Sequence, residues 1–438
     1  MNFNSALFII VFLPIFWLTF YLLPKKVRFI SVLFWSLIFY LNTGLLHFGL
    51  IIIIAIINYF GMLLFSKINK KFIPIILLII NIGSLVFFKY NENFLLPLGI
   101  SFYAFNNISY IVDVLKKKIK AEKNFFYFLT YSVLFCHVTM GPITRYEVIR
   151  KNINNLNPSG DDIVNGFKRF IWGLIKKVLI ADNLGLLFAT LNSDTDYSFV
   201  LCILTLIVFG LQLYIDFSSY SDMAIGMGKM IGITYPENFD YPYLALSVSD
   251  FWRRWHMSLT NFFKEYIYFP LGGNRVKTFR HIINIMIVWL LTGIWHGSTV
   301  NFLLWGLYYG IILVLEKYFL GKILDKMPNF IKHIYVLLIV LIGYIFFSTN
   351  NFNDMCIFIS KMFASSFYSS NILFYLKENI ILLIFAVILC FRLPKKFEVL
   401  KKKNCINIIC NTICVCLYIL TIAYIVSGSF MPFLYNAF

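Results

Sequence analysis

The chain has 438 residues, of which 60% are hydrophobic and 13% charged, and its mean hydropathy is +0.80. A water-soluble domain has too little interior to hide that much apolar surface, so composition excludes one and calls for a polytopic membrane protein. The formal net charge of +18 raises nucleic acid as a partner. The Lys and Arg residues fall instead in short clusters between apolar runs, as in cytoplasmic loops, and no basic domain stands apart to bind nucleic acid.

About 20 apolar residues cross a bilayer. On that criterion twelve spans are expected, at 4–23, 29–43, 45–66, 72–89, 98–115, 170–190, 198–217, 281–298, 300–319, 332–349, 376–393 and 405–429. The N-terminus lacks the basic n-region and small-residue cleavage site of a signal peptide. Four basic clusters set the orientation: Lys25, Lys26 and Arg28; Lys67, Lys70 and Lys71; Lys116 to Lys118 with Lys120; and Arg392, Lys395, Lys396 and Lys401 to Lys403. All four are cytoplasmic if both termini lie outside. The acidic loop 192–196 and the stretch 365–371 are then outside, and 218–280 is inside. This parity requires 125–140, a short run holding His137 before Gly141-Pro142, to be re-entrant or interfacial. Cys405, Cys410, Cys414 and Cys416 crowd into one apolar run and are expected to pack there. Metal sites draw their ligands from separate elements or tight turns, so none is expected.

Residues 209–280 mix polar and aromatic side chains throughout. Asp216, in an apolar helix end, is expected to line a cavity or cap a broken helix, because a buried carboxylate needs partners. Residues 250–268 read as one amphipathic helix with Ser249 or Asp250 as its N-cap. Trp252, Trp255, Leu259, Phe262, Phe263 and Tyr266 form its apolar face at headgroup depth. Arg253 and Arg254 lie largely elsewhere, placed either to touch lipid phosphates or to guide an anionic acyl donor. His256 on the same helix reads, taken alone, as a surface group. Leu271-Gly272-Gly273-Asn274-Arg275 is a turn without the Gly-Lys-Ser/Thr of a phosphate loop.

The stretch 281–310, HIINIMIVWLLTGIWHGSTVNFLLWGLYYG, predicts a tight helical hairpin. His296 stands about 15 residues into its first helix, roughly 22 Å along it. An ionisable residue at membrane depth faces a bundle interior or a wet cavity and is a functional candidate by default. The flanking Gly293 and Gly297 permit close helix approach or a break. No HExxH, CxxC or GxSxG pattern is present. A polysaccharide or lipid transporter would spread ionisable groups over several spans in repeated halves. Here they concentrate in 209–310 and no repeat is visible, which favours a membrane enzyme.

Five stretches carry a resemblance: FLLPLGISFYAFNNISYIVDV (94–114), GPITRY (141–146), YIDFSSYSDMAIGMGKMIGI (214–233), PENFDYPYLALSVSDFWRRWHMSLTNFFKEYIYFPLGGNR (236–275) and WLLTGIWHGSTVNFLLWGLYYG (289–310). In these the chain resembles the membrane-bound O-acyltransferases, most closely the bacterial alginate O-acetyltransferase type. The resemblance implies an all-α bundle of about 11–12 transmembrane helices, with re-entrant or interfacial helices, around a central funnel. It implies a single membrane-embedded domain over 1–438 in the cell membrane. Within it, N-terminal helices would occupy 1–93, the motif-bearing core 94–310 and C-terminal helices 311–438. His296, in WHG, is the implied essential residue, and His256, in WRRWH, the second polar residue of the site. A sister subfamily transfers D-alanine from a carrier protein to teichoic acids but lacks the Leu-Gly-Gly-Asn-Arg turn, so the acetyltransferase branch is preferred. The Ile/Lys/Asn-heavy composition points to a cell-wall or secreted polysaccharide as acceptor rather than alginate.

Acyl transfer from a thioester to a hydroxyl needs a base for the hydroxyl proton and donors for the oxyanion. The expectation is that acetyl-CoA, a co-substrate rather than a bound cofactor, enters from the cytoplasm beside Trp252, Arg253, Arg254, Trp255 and His256. Asp216 would line this funnel, His296 would act as base, and Trp295 or Asn301 would face the oxyanion. A covalent acetyl relay is the alternative route. The expected partners are membrane lipids, an esterase-like envelope protein, the polysaccharide acceptor and, for the D-alanyl reading, an acyl carrier protein.

Overall fold

The computed structural model describes residues 3–91, 93–154, 156–364, 366–392, 404–428 and 431–434. Lys395, Lys396 and Lys401 to Lys403 lie outside the described residues. The protein is all-α, as expected: among the described residues the only β pairing is an isolated bridge between Ser198 and Ser366. Eight of the described helices are long and apolar enough to cross a bilayer. The chain divides into two compact units, residues 1–174 with 220–237, and residues 175–219 with 238–438.

In the first unit, Leu45–Ile68 and Phe72–Tyr90 are full-length apolar helices. They are pinned by a reciprocal amide pair in which Asn58 and Asn81 each donate to the other's side-chain oxygen, at 3.2 and 2.9 Å. Such a pair removes the penalty of carrying amides at membrane depth. The expected spans 4–23, 29–43 and 98–115 form shorter helices, including Leu13–Leu22, Arg28–Leu41 and Ile100–Leu115. Ile100–Leu115 is buried on nearly every face, as a helix enclosed by protein rather than lipid is. The run 125–140 forms two short helices, Phe125–Val133 and Phe135–Val138. His137, fully buried, is held between the Asn106 amide (3.1 Å) and the Tyr235 hydroxyl (3.0 Å). Glu122 ties the loop before these helices to Tyr146–Ile153 through the Tyr146 hydroxyl (2.5 Å) and Arg150 (2.6 Å). Burial alone would raise its carboxyl pKa, but Tyr146, the Asn124 N–H and Arg150 outweigh burial and hold it below the usual value.

Further along the chain, the expected span 170–190 is interrupted by a π-helical turn, Lys176–Ala181, before Asp182–Ser193. The expected span 198–217 extends much further. The helix runs Phe199–Ile231, so the Ser- and Asp-rich stretch after 217 is helical and not the start of a loop. Its polar side chains find partners: Ser218 and Ser219 donate to the carbonyls of Ile215 and Asp216 at 3.3 and 2.5 Å. The helices Thr278–His296, Val300–Leu315, Asn329–Ser348, Asn371–Leu389 and Asn404–Val426 follow. The acidic loop 192–196 is clasped to residues 369–375. Asp194 accepts from the Tyr375 hydroxyl at 2.7 Å, and the Ser369 hydroxyl donates to Asp196 at 2.5 Å.

Candidate active site

Thr278–His296 and Val300–Leu315 form the predicted hairpin, joined by three residues. Its closeness depends on two glycines. A Cβ at Gly293 would strike the Phe302 carbonyl, and one at Gly306 would strike the Trp289 carbonyl, while the two Cα atoms face each other. Gly306→Val is expected to separate the helices and lower stability by about 1–3 kcal/mol. The check is a drop in the thermal unfolding midpoint of the detergent-solubilised protein, with Gly83→Val, in open space, as the control.

The hairpin places His296 at the last turn of its first helix, only 4% exposed. Aromatic rings wall the imidazole: Trp305 at 4.9 Å and Phe347 at 4.8 Å between centroids, both edge-on, and Trp295 at 4.6 Å. Packing of this kind fixes the orientation of the ring.

His256 reaches the same place by a backbone break. The single amphipathic helix expected over 250–268 is instead Val248–Arg254, then Met257–Phe263, then a π-helical turn to Tyr268. The N-cap is Ser247, which accepts from the Asp250 N–H at 3.0 Å. Trp255 is extended and His256 has φ 43°, in the left-handed region that residues other than glycine adopt uncommonly. A strained residue of this sort costs about 1–3 kcal/mol and persists where its surroundings over-determine it. Here they do. The Met257 N–H donates to the Asn238 carbonyl (2.9 Å), and the Asp240 N–H to the Arg254 carbonyl (3.0 Å). The break turns His256 inward, so it is 2% exposed rather than a surface group.

The same Asn238 sets the tautomer. Its side-chain oxygen accepts from the Ser258 N–H at 3.2 Å, a group that can only donate, and from the Ser258 hydroxyl at 2.8 Å. The atom facing His256 Nδ1, at 3.0 Å, is therefore an acceptor, and Nδ1 carries the proton. Nε2 is left with the lone pair. Burial pushes the His256 pKa down to about 3, so the ring is neutral.

Both histidines line one cavity of about 210 Å³. Trp252 and Trp255 line it too, as do Thr260, Thr292, Trp289 and Trp305, which sequence reasoning did not single out. Among the described residues, Lys264 is the only formally charged one in its wall, and none of the lining residues is a carboxylate. Trp252 stands among Trp289 (4.8 Å), Trp305 (5.4 Å) and Tyr309 (4.8 Å). Its indole N–H is buried and has no acceptor among the described residues.

The remaining expected residues lie outside this wall. Arg253 and Arg254 face Asp250, at 3.7 and 2.9 Å, rather than the cavity. The Asn301 amide donates to the Thr349 carbonyl and hydroxyl, at 3.2 and 3.0 Å, which leaves it facing away from any oxyanion. Trp295 packs between the two histidine rings without joining the lining. Asp216 meets Lys177 at 2.6 Å and accepts from the Leu434 N–H at 2.9 Å. Phe217, the next residue, sits edge-on to His256 at 4.7 Å.

The membrane-bound O-acyltransferase family profile matches residues 116–357, more than half the chain. The chain belongs to that family. It is therefore an acyltransferase and a multi-pass membrane protein. A probable alginate O-acetylase of Pseudomonas fluorescens is 34% identical over 366 residues, covering 80% of this chain and 73% of the relative. The peptidoglycan O-acetyltransferase of Helicobacter pylori is 32% identical over 409 residues, covering 80% and 77%. The teichoic acid D-alanyltransferase of Bacillus subtilis is 26% identical over 233 residues, covering 51% and 59%. Within the matched region lie both histidines, Trp252 and Asn238.

Proposed function

We propose that this O-acyltransferase moves an acetyl group from a cytoplasmic thioester, acetyl-CoA, to hydroxyls of a cell-wall or secreted polysaccharide. The observation that carries the reading is the shared cavity: two buried imidazoles, one of them with a fixed tautomer, beside a buried indole N–H. His296 takes the proton of the acceptor hydroxyl as its oxygen attacks the thioester carbonyl carbon. The carbonyl oxygen becomes an oxyanion, and the buried Trp252 N–H in the same wall would donate to it. Collapse breaks the carbon–sulfur bond, the thiolate takes the proton back from His296, and an ester and a free thiol leave. His256 offers Nε2 as an acceptor that orients the incoming hydroxyl.

The acyl group is neutral on this reading. A D-alanyl ester carries an ammonium, and the described residues of the cavity wall offer it Lys264 and no counter-charge; burying an unpaired charge is heavily penalised. The acceptor class follows from the names of two relatives, a probable alginate O-acetylase and a peptidoglycan O-acetyltransferase. Transfer runs directly to the polymer or through an esterase-like envelope protein that carries the group onward.

The test uses purified protein in lipid nanodiscs with acetyl-labelled acetyl-CoA and a polysaccharide fragment. Release of free thiol with matching ester formation is expected, and Trp252→Phe is expected to lower the rate by about 10²–10³-fold at similar KM. Transfer from a D-alanyl carrier protein in place of acetyl-CoA would overturn the choice of donor.

A further inference from the structure

The second unit holds another cavity, larger and almost wholly apolar, of about 390 Å³. Its walls come from three helices long and apolar enough to cross a bilayer, Phe199–Ile231, Asn329–Ser348 and Asn371–Leu389, with Tyr243 added from the loop. The floor is buried, with Leu206 and Val340 at 1% and 2% exposure. The rim is open, with Ile334, Leu338 and Phe391 at 52%, 55% and 53%. On membrane-spanning helices an open apolar rim faces hydrocarbon, so the groove takes a chain rather than water.

The two hydroxyls in the wall are already engaged. Tyr243 donates to the Gly210 carbonyl at 2.6 Å, and the Tyr243 and Tyr344 hydroxyls share a hydrogen bond of 2.6 Å. The groove itself therefore selects only for an apolar occupant. Charge gathers at one end of it. Arg392 directly follows Phe391, and its guanidinium lies 5.6 Å from the Tyr241 ring, two residues before Tyr243. It bonds Asp240, which also faces Arg254 at 3.6 Å, and Arg254 and Arg253 share Asp250. Three guanidiniums thus meet two carboxylates, an excess of one positive charge, and the Arg392 and Arg253 side chains are 60% and 70% exposed.

We propose that this groove is a binding site for an anionic glycerophospholipid, with one acyl chain along the apolar floor and the phosphate on the arginine cluster at Arg392. The inner wall includes Tyr344, which also lines a narrow aromatic slot reaching His296. A bound chain therefore braces a wall that the active-site region shares. The site does not depend on which acyl group the enzyme transfers.

The test places the protein in phosphatidylcholine nanodiscs doped with phosphatidylglycerol bearing a mid-chain diazirine. After photolysis, label is expected on peptides covering 334–344 and 387–391. Leu341→Trp, which fills the groove, is expected to cut that label at least fivefold. Leu338→Trp at the exposed rim fills it without disturbing buried packing and guards against misfolding. Arg392→Gln is expected to reduce phosphatidylglycerol labelling roughly fivefold and to leave labelling by a phosphatidylcholine probe unchanged. Three results would each overturn the proposal: label spread evenly over other apolar helices such as Leu45–Ile68, equal labelling by both headgroups, or indifference to both tryptophans.

Discussion

His296→Gln is expected to lower acyl transfer by about 10²–10⁴-fold, the usual contribution of a general base, in a protein that still inserts and folds. Glutamine keeps the polarity and approximate length of the side chain but cannot take a proton. His256 makes the comparison sharp, because it shares the cavity but sits in a different backbone state. Asn accepts the left-handed region more readily than most residues, so His256→Asn is expected to fold at least as stably as the wild type. It loses the Nε2 acceptor and so is expected to lose activity by about tenfold or more, whereas His256→Ala should lose both activity and stability. The acid limb of the pH–rate profile separates the two residues. Burial holds the His256 pKa at about 3, so any inflection near pH 6–7 belongs elsewhere, and His256→Asn should leave its position unmoved. Stability has its own pH dependence. The unfolded chain protonates His256 near 6.5 while the folded chain does not, so this residue's contribution is whole above 6.5 and falls away as pH drops toward 3. Wild-type rates from His296→Gln, with insertion verified, would remove His296 from the mechanism.

His296 and its hairpin were legible because they are local. An imidazole, two glycines and two apolar runs fix a break and a close approach with no help from distant residues. The helix over 250–268 looked continuous for the same reason, since its aromatic residues keep helical spacing through Trp255 and Leu259. What breaks it is Asn238, 18 residues earlier, whose backbone and side chain together claim Met257, Ser258 and His256. Periodicity carries no trace of such a partner. The opposite error arose after residue 217, where the expected span ended at a run of serines and aspartates. Those groups are tolerated in a helix because Asp216 has Lys177, and Asp222 has Arg169 at 2.9 Å. The expected span at 98–115 proved to be enclosed by protein, because hydropathy does not distinguish a helix surrounded by protein from one surrounded by lipid. The cavity wall was half visible: Trp252 and Trp255 stood out by composition, whereas Thr260, Thr292 and Trp305 join it only once two elements meet.

Lys177→Met is expected to be the most destabilising single change in the second unit, by about 3–5 kcal/mol. Lys177, Asp182 and Asp216 are buried together, with side chains 2%, 5% and 3% exposed, and the ammonium sits 2.7 Å from Asp182 and 2.6 Å from Asp216. Two carboxylates around one ammonium leave a residual negative charge, and the C-terminal segment supplies what offsets it. The Met431 N–H donates to Asp182 at 3.2 Å and the Leu434 N–H to Asp216 at 2.9 Å. Lys177 itself donates to the Pro432 carbonyl at 3.1 Å and lies 4.5 Å from the Phe433 ring. The cluster is thus a socket for residues 431–434, built from side chains more than 200 positions away. Removing the ammonium strands two charges in a low-dielectric interior and releases the segment they hold. Thermal unfolding should fall by about 5 °C or more, and the C-terminal segment should become susceptible to carboxypeptidase before the rest of the chain unfolds. Neutralising all three groups as Lys177→Met with Asp182→Asn and Asp216→Asn should recover most of the loss, because a neutral cluster has nothing to compensate. A triple variant as unstable as Lys177→Met alone would mean that packing around the lysine stem, and not its charge, holds the socket together.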